Sequence, residues 1–260
     1  MTQKQSKKTR RHDRILQTLE LNPSIRVNAL AEALDVSSET VRRDLAELDE
    51  SGRIKRTYGG AVKTSLFEPA LTERLALSLK EREAISAHAV QLLGDADCIF
   101  IGGGATTLHF ARALRSIDRR ITVVTASFSV AIELSTNPLI DVMSLPGIVE
   151  PKEGLVCGTD TLRFIARYRT HFAVMGASAM DATGVSEALL PAAQVYKAMI
   201  ENADQTLILA DCSKFDLRAL QIVAGWDPKI TVVTDKMPIN TLKIAMDKAG
   251  TTIHVIDAGS

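Results

Sequence analysis

From Cys98 onward the sequence alternates short apolar runs with helical patterns, and few folds accommodate that. The runs fall at Cys98–Ile101, Ile121–Thr125, Asp141–Leu145, Phe172–Gly176, Thr206–Ala210, Ile230–Thr234 and Thr252–Ile256. Between them, apolar residues recur at helical spacing over 106–115, 127–136, 161–168, 191–203 and 240–249. Apolar runs separated by helices belong to strands buried on both faces, which predicts a doubly wound, mainly parallel α/β sheet. Such sheets bind ligands just beyond the carboxyl ends of their strands.

Polar and glycine residues collect at those ends. They are Gly102-Gly103-Gly104-Ala105-Thr106-Thr107, Thr125-Ala126-Ser127, Gly147, Gly176-Ala177-Ser178 and Asp211-Cys212-Ser213-Lys214. Backbone amides, two threonine hydroxyls and a helix start give the first of these the means to cradle an anion. It lacks the lysine of a P-loop and the spacing of a dinucleotide fingerprint. A small anionic ligand is therefore expected, with no cofactor and no metal.

The first sixty residues follow a different pattern. Residues 1–11 are polar and basic, and are read as a flexible arm. Helices are expected over Arg11–Leu21, over Asn28–Leu34 with Asn28 as its cap, and over Ser38–Glu50 capped by Ser37. Asn22-Pro23 ends the first, and Ile25-Arg26-Val27 is short and extended. In the third helix Val41, Leu45 and Leu48 define the buried stripe. At about 100° per residue, Arg43 then lies opposite that stripe and Arg42 on its shoulder. Ser38, Glu39, Thr40, Arg42 and Arg43 form the outward face, able to contact phosphates and base edges. After Gly52, Arg53–Tyr58 is basic and strand-like, and Gly59-Gly60 permits a turn before Ala61-Val62. Three helices and a basic hairpin make the plan of a winged helix-turn-helix. Lys55, Arg56 and Tyr58 join its DNA-contacting set.

Charge supports the same division. Lysine plus arginine equals aspartate plus glutamate at 31 each, so the total is zero. Residues 1–66 nevertheless hold 13 basic against nine acidic residues, leaving 18 against 22 for the rest. The expected domains are 1–62, a linker over 63–70, and 71–260, whose first helix is predicted over Ala70–Leu93. No apolar run is long enough to span a bilayer and no signal-type apolar core follows the basic start, so a cytoplasmic location is expected. The three cysteines and five histidines show neither disulfide nor metal-ligand spacing.

The run Val36-Ser37-Ser38-Glu39-Thr40-Val41-Arg42-Arg43-Asp44-Leu45, then Leu48, Gly52 and Arg56-Thr57-Tyr58-Gly59-Gly60-Ala61, resembles the DeoR family of bacterial transcription regulators. The resemblance extends over nearly the whole chain, through Gly104, Thr106, Thr107, Thr125, Ser127, Gly176, Asp211, Ser213, Lys214 and Phe215. It implies a recognition helix that enters the major groove and a sensor domain similar to sugar-phosphate isomerases. It also implies a phosphate held at Gly104–Thr107, with Lys214 supplying positive charge. The partners implied are operator DNA, a phosphorylated sugar or polyol effector and further copies of the chain as dimer or tetramer. The role implied is a repressor of a carbohydrate or polyol operon.

Five positions depart from the family pattern. Gly102 stands for its Asp, Ala126 for its Asn and Ser178-Ala179 for its Asp-Gly pair. In the helix over 191–203, Ala192 stands for its Glu and Tyr196 for its Lys, with Lys197 beside it. Loss of carboxylate and amide partners for sugar hydroxyls points to an unusual effector or a weakened sensor. The candidate effector residues are Gly103, Gly104, Ala105, Thr106, Thr107, Thr125, Ser127, Gly147, Gly176, Ser178, Tyr196, Lys197, Asp211 and Lys214. The alternative function is a sugar-phosphate isomerase-like enzyme with a DNA-binding appendage, resting on Asp211 and Lys214. Gly102 and Ser178 remove two candidate carboxylates from that chemistry.

Overall fold

A computed structural model describes residues 7–21, 24–50, 54–57, 60–63 and 71–257. The chain divides into two compact units, 1–68 and 69–260.

In the first unit, α1 (Lys7–Leu21), β1 (Ser24–Arg26), α2 (Val27–Leu34) and α3 (Ser38–Glu50) precede a hairpin of β2 (Ile54–Thr57) and β3 (Gly60–Lys63). Strand β3 pairs antiparallel with both β2 and β1, Arg26 facing Gly60 and Arg56 facing Ala61, so the short extended segment becomes the third strand of the wing sheet. The core is Ile15, Leu19, Val27, Leu30, Ala31, Leu34, Val41, Leu45, Leu48 and Ile54. The stripe expected on α3 is therefore buried.

Three expectations shift. Helix α1 begins at Lys7, so Lys7–Arg11 of the expected arm are helical; Met1–Ser6 lie outside the described residues. Helix α2 begins at Val27, and the residue before it is Arg26, with no side-chain cap. Asn28 instead accepts a hydrogen bond from Ser38 Oγ at 3.2 Å, tying α2 to α3. The inward residues of α2 are Val27, Leu30, Ala31 and Leu34, while Ala29 and Ala33 are exposed. The turn into α3 is made by Asp35 at φ 54°, a left-handed conformation that aspartate tolerates.

The second unit has a seven-stranded sheet, all pairs parallel. Its strands are β4 (Cys98–Ile101), β5 (Ile121–Thr125), β6 (Ile140–Ser144), β9 (Thr170–Met175), β12 (Ala203–Leu209), β14 (Ile230–Thr234) and β15 (Thr252–Val255). Their spatial order is β15-β14-β12-β9-β4-β5-β6. Alternate residues of each central strand serve opposite layers. Phe100, Val124, Ala173, Met175, Ile208 and Val232 join one core with α8 (Thr159–Ile165), α9 (Leu190–Glu201) and α10 (Asn240–Ala249). Ile99, Ile101, Val123, Val174, Leu207, Leu209 and Val233 join the other with α5 (Leu79–Gln91), α6 (Ala105–Leu114) and α7 (Phe128–Leu134). This is the doubly wound fold expected. The chain moves outward from β4 in one direction through β5 and β6 and in the other through β9, so the topological switch lies between β4 and β9, the place where such sheets bind ligands.

The helix expected over Ala70–Leu93 is two helices, α4 (Leu71–Arg74) and α5, because Ser78 takes a left-handed φ of 48° between them. Leu79 is 46% exposed, whereas Arg74 and Arg82 are buried. Five antiparallel strands were not expected. The hairpin β7 (Ile148–Glu150) and β8 (Leu155–Cys157) stands alone, and β10 (Ala179–Asp181), β11 (Gly184–Glu187) and β13 (Gln221–Ala224) form a small sheet. Asp181 anchors that sheet: it pairs with Arg218, accepts from Thr183 N at 2.8 Å, and its carbonyl takes the Trp226 indole N–H at 2.8 Å. No described helix is long and apolar enough to cross a membrane.

Candidate nucleic-acid interface and ligand crevice

The outward face of α3 is built from its first turn. Ser37 Oγ accepts from Thr40 N at 3.2 Å and lies 2.9 Å from Thr40 Oγ1, capping the helix as expected. Ser38 and Thr40 are half-buried; Glu39, Arg42 and Arg43 are exposed. Arg42 reaches back to Glu39 at 3.6 Å, an exposed i,i+3 pair of little energetic weight. Lys55 and Arg56 lie on β2 of the hairpin, and Tyr58 lies outside the described residues.

Sequence reasoning missed what holds α3 in place. Asp44, next to Arg43 but turned inward, is 2% exposed. Arg11 of α1 grips it with two donors, the Nη2–Oδ1 contact being 2.8 Å, and His12 Nε2 lies 3.2 Å from Oδ1. Lys8 pairs with Glu47 at 2.6 Å one turn further along α3. Burial pushes the Asp44 carboxyl up, but the hydrogen bonds and charge of Arg11 and His12 outweigh that and hold it below its ordinary value. A cleft of about 260 Å³ opens above these pairs, lined by Lys8, Arg11, Ser37, Thr40 and Arg43 among others. The readable signal was an acid three residues after Val41 and one before Leu45, on the edge of the apolar stripe.

In the second unit the Gly102–Thr107 turn follows β4 at the switch point, and Gly102 N donates to Val174 O of β9 at 2.9 Å. All three glycines are buried. A Cβ on Gly102 would sit 2.8 Å from Met175 Sδ and 3.2 Å from the Tyr196 ring, and one on Gly103 would sit 3.1 Å from Leu155. Gly104, at φ 124°, ends the turn, and Ala105 opens α6. Tyr196, on α9, donates from its hydroxyl to Gly103 O at 3.1 Å. Tyr196→Phe is expected to lower thermal stability by about 1 kcal/mol, the net worth of one hydrogen bond, in a calorimetric scan.

Several predicted ligand hydroxyls are already committed. Thr107 Oγ1 donates to Gly104 O at 3.1 Å, and Thr125 Oγ1 donates to Ile101 O at 2.8 Å while accepting from Ser127 N at 3.1 Å. Ser127 Oγ caps α7, accepting from Val130 N at 3.4 Å, beside Ser129 Oγ at 3.0 Å. All three residues are fully buried within these bonds. Thr106 is half-buried, and its carbonyl takes the Ser86 hydroxyl at 3.5 Å. At Gly147 a Cβ would meet Thr161 Oγ1 at 2.2 Å and Cys157 O at 2.7 Å, so close packing demands glycine there.

On the β9 side, Gly176 is open, with nothing within 4 Å of a Cβ, and Ser178 Oγ accepts from Ala188 N at 3.2 Å. Asp211, 3% exposed, accepts from Ser213 N at 3.0 Å and caps a single 3-10 turn over Cys212–Lys214. Lys214 ends that turn, half-buried. Lys197 is exposed on α9 and pairs with Glu201 at 3.9 Å. Four of the five unusual positions are buried among apolar side chains. Ala126, Ala192 and Tyr196 belong to one core cluster, and Gly102 abuts Met175 of the same cluster. Sequence reasoning also missed buried Glu187, whose Oε1 accepts from Ala188 N at 2.9 Å and Leu189 N at 3.1 Å.

A winged helix-turn-helix joined to a doubly wound domain with a glycine turn at its switch point defines a DNA-binding regulator with a sensor domain. The DeoR-like helix-turn-helix domain family matches residues 11–65, and the DeoR C terminal sensor domain family matches residues 78–236. The chain belongs to the DeoR family of transcriptional regulators. It is 31% identical to the HTH-type transcriptional repressor CsqR of Escherichia coli (strain K12), over 90% of each chain. It is 32% identical to the glycerol-3-phosphate regulon repressor of Haemophilus influenzae, over 82% of this chain and 84% of that one. Among solved structures, ribose 5 phosphate isomerase A from Neisseria gonorrhoeae aligns over 53% of each chain at 19% identity, with a TM-score of 0.40.

Proposed function

We propose that the protein is a repressor released from its operator by a compact phosphorylated effector, which binds at the Gly103–Thr106 turn. The observation that carries this is the turn itself: backbone amides at the start of the ten-residue helix α6, at the switch point of a parallel sheet. Amides and Thr106 supply the donors, since Thr107, Thr125 and Ser127 are engaged elsewhere. Lys214 adds charge from the rim. The apolar wall of Gly102, Ala126, Ala192 and Tyr196 offers few partners to a string of sugar hydroxyls, which favours a short or sparsely hydroxylated ligand. The operon would be one of carbohydrate or polyol catabolism, as the names of its relatives suggest.

DNA contact is assigned to Ser38, Glu39, Thr40, Arg42, Arg43, Lys55, Arg56 and Tyr58. One winged module covers a single half-site, so the repressor works as a dimer or larger homo-oligomer. The domain limits follow the same plan, 1–62 for reading DNA and 71–260 for sensing and assembly. Regulation is preferred over isomerisation because Asp211, the acid on which the enzyme alternative leans, is consumed in capping its own turn.

Thermal-shift screening against inorganic phosphate, glycerol phosphates, and triose, pentose and hexose phosphates tests the effector assignment. A matching ligand at a hundred times its dissociation constant is expected to stabilise the protein by about 2.7 kcal/mol. Stabilisation by a neutral sugar or sugar acid alone, with every phosphate inert, refutes the phosphate assignment.

A further inference from the structure

Arg26 lies outside the set assigned to DNA, yet its place in the first unit is distinctive. It ends β1 and directly precedes α2, with an extended backbone at φ −80° and ψ 148°. Strand β1 is an edge of the three-stranded sheet, where Arg26 pairs with Gly60 of β3, which pairs in turn with Thr57 of β2. Its neighbour on β3 therefore has no side chain to lay over the arginine. Two residues on, Asn28 accepts from Ser38 Oγ at 3.2 Å, tying the first turn of α2 to the first turn of α3. Arg26 thus stands where the hairpin and the start of the recognition helix meet.

Several other cations of this unit are engaged within it. Lys8 pairs with Glu47 and Arg11 with Asp44, Arg14 donates to Ala33 O at 3.0 Å, and Arg42 reaches Glu39. Arg26 is exposed, caps nothing with its side chain and holds no acid among the described residues. Its guanidinium donors are open to a partner outside the chain.

A recognition helix seated in the major groove is bordered on each side by a phosphate strand. Contacts to that strand fix the depth and register of the helix and carry no sequence information. The end of β1 is tied to the start of α3, and its side chain has the planar donor set that suits phosphate oxygens.

We infer that Arg26 is a contact to the phosphate backbone, gripping the strand that borders the groove entered by α3. This rests on the DNA-reading role proposed above and adds to it a residue that serves affinity, where Arg43 is assigned to sequence.

Gel-shift titrations of the full chain compare wild type, Arg26→Ala, Arg26→Lys and Arg43→Ala across a salt series. Two duplexes are used, the DNA upstream of the protein's own gene and a scrambled sequence. Loss of one phosphate contact makes the slope of log K against log salt shallower by about 0.9. Over a tenfold dilution from about 1 M salt that slope amounts to about eightfold, so Arg26→Ala is expected to weaken both duplexes about eightfold near 0.1 M. Arg26→Lys keeps a charge at the site and is expected to restore the slope. Both variants should melt within about two degrees of wild type, because Arg26 is exposed. An unchanged slope in Arg26→Ala overturns the phosphate contact whatever happens to affinity, and so does a loss confined to the upstream DNA. Wild-type protein that binds neither duplex at low salt overturns the DNA-reading role and this contact together. Normal binding by wild type and Arg26→Ala alike overturns the contact alone.

Discussion

Arg43→Ala is expected to weaken operator binding by about ten- to a hundredfold, the usual cost of removing one arginine that reads a base edge. Arg43 is exposed on the outward face of α3, so its loss uncovers no core and the melting temperature should stay within a degree or two. A gel-shift titration at fixed salt against specific and scrambled DNA measures the effect. Loss confined to the specific sequence assigns Arg43 to a base edge. Equal loss on both, with a shallower salt dependence, assigns it to phosphate instead. Wild-type-like binding on both refutes the recognition-helix assignment.

The second large effect is on stability. Asp44→Asn is expected to destabilise the first unit by about 2–3 kcal/mol, a little under the 3–5 typical of a fully buried pair, since Arg11 keeps 23% of its side chain in water. The pH dependence follows from the sign of the shift. The Asp44 carboxyl is held below its ordinary value, so its contribution is present above the unfolded carboxylate pKa and is lost as pH falls through the lower native one. The variant should therefore lose stability at neutral pH and show a flatter acid limb. Denaturant midpoints at several pH values, read from a probe on the first unit, check both. An unchanged acid limb would show that Asp44 does not carry the linkage.

The main sheet and the stripe on α3 were legible because their signals are local: a strand buried on both faces must be apolar along its length, and a helix stripe repeats every third or fourth residue. All seven long strands were found within a few residues. The small antiparallel pieces escaped because runs such as Ala179–Asp181 and Gly184–Glu187 are only three or four residues long and carry buried acids. At the ligand crevice the glycine turn was visible, yet the use of each hydroxyl was not. A threonine donating to Gly104 O and one donating to a ligand look identical in sequence. The buried Arg82 did leave a trace, since it lies three residues before Ile85 on the stripe continued by Ala89. Charge on an apolar stripe marks a buried partner, here the Arg74 carbonyl beside the Glu153 pair.

The joint between β4 and β9 also bears on how the molecule assembles. Strand β4 meets β5 after a single intervening helix, but Phe172 of β9 must find Ile99 of β4 across everything in between. Closing that long loop is slow, so β4, β5 and β6 can associate early while β9 arrives late. The glycine turn is bonded to β9 through Gly102 and Val174, and its roof comes from the intervening segment. A nascent chain would thus complete its helix-turn-helix unit well before the glycine turn gains β9 and the side chain of Leu155 above it.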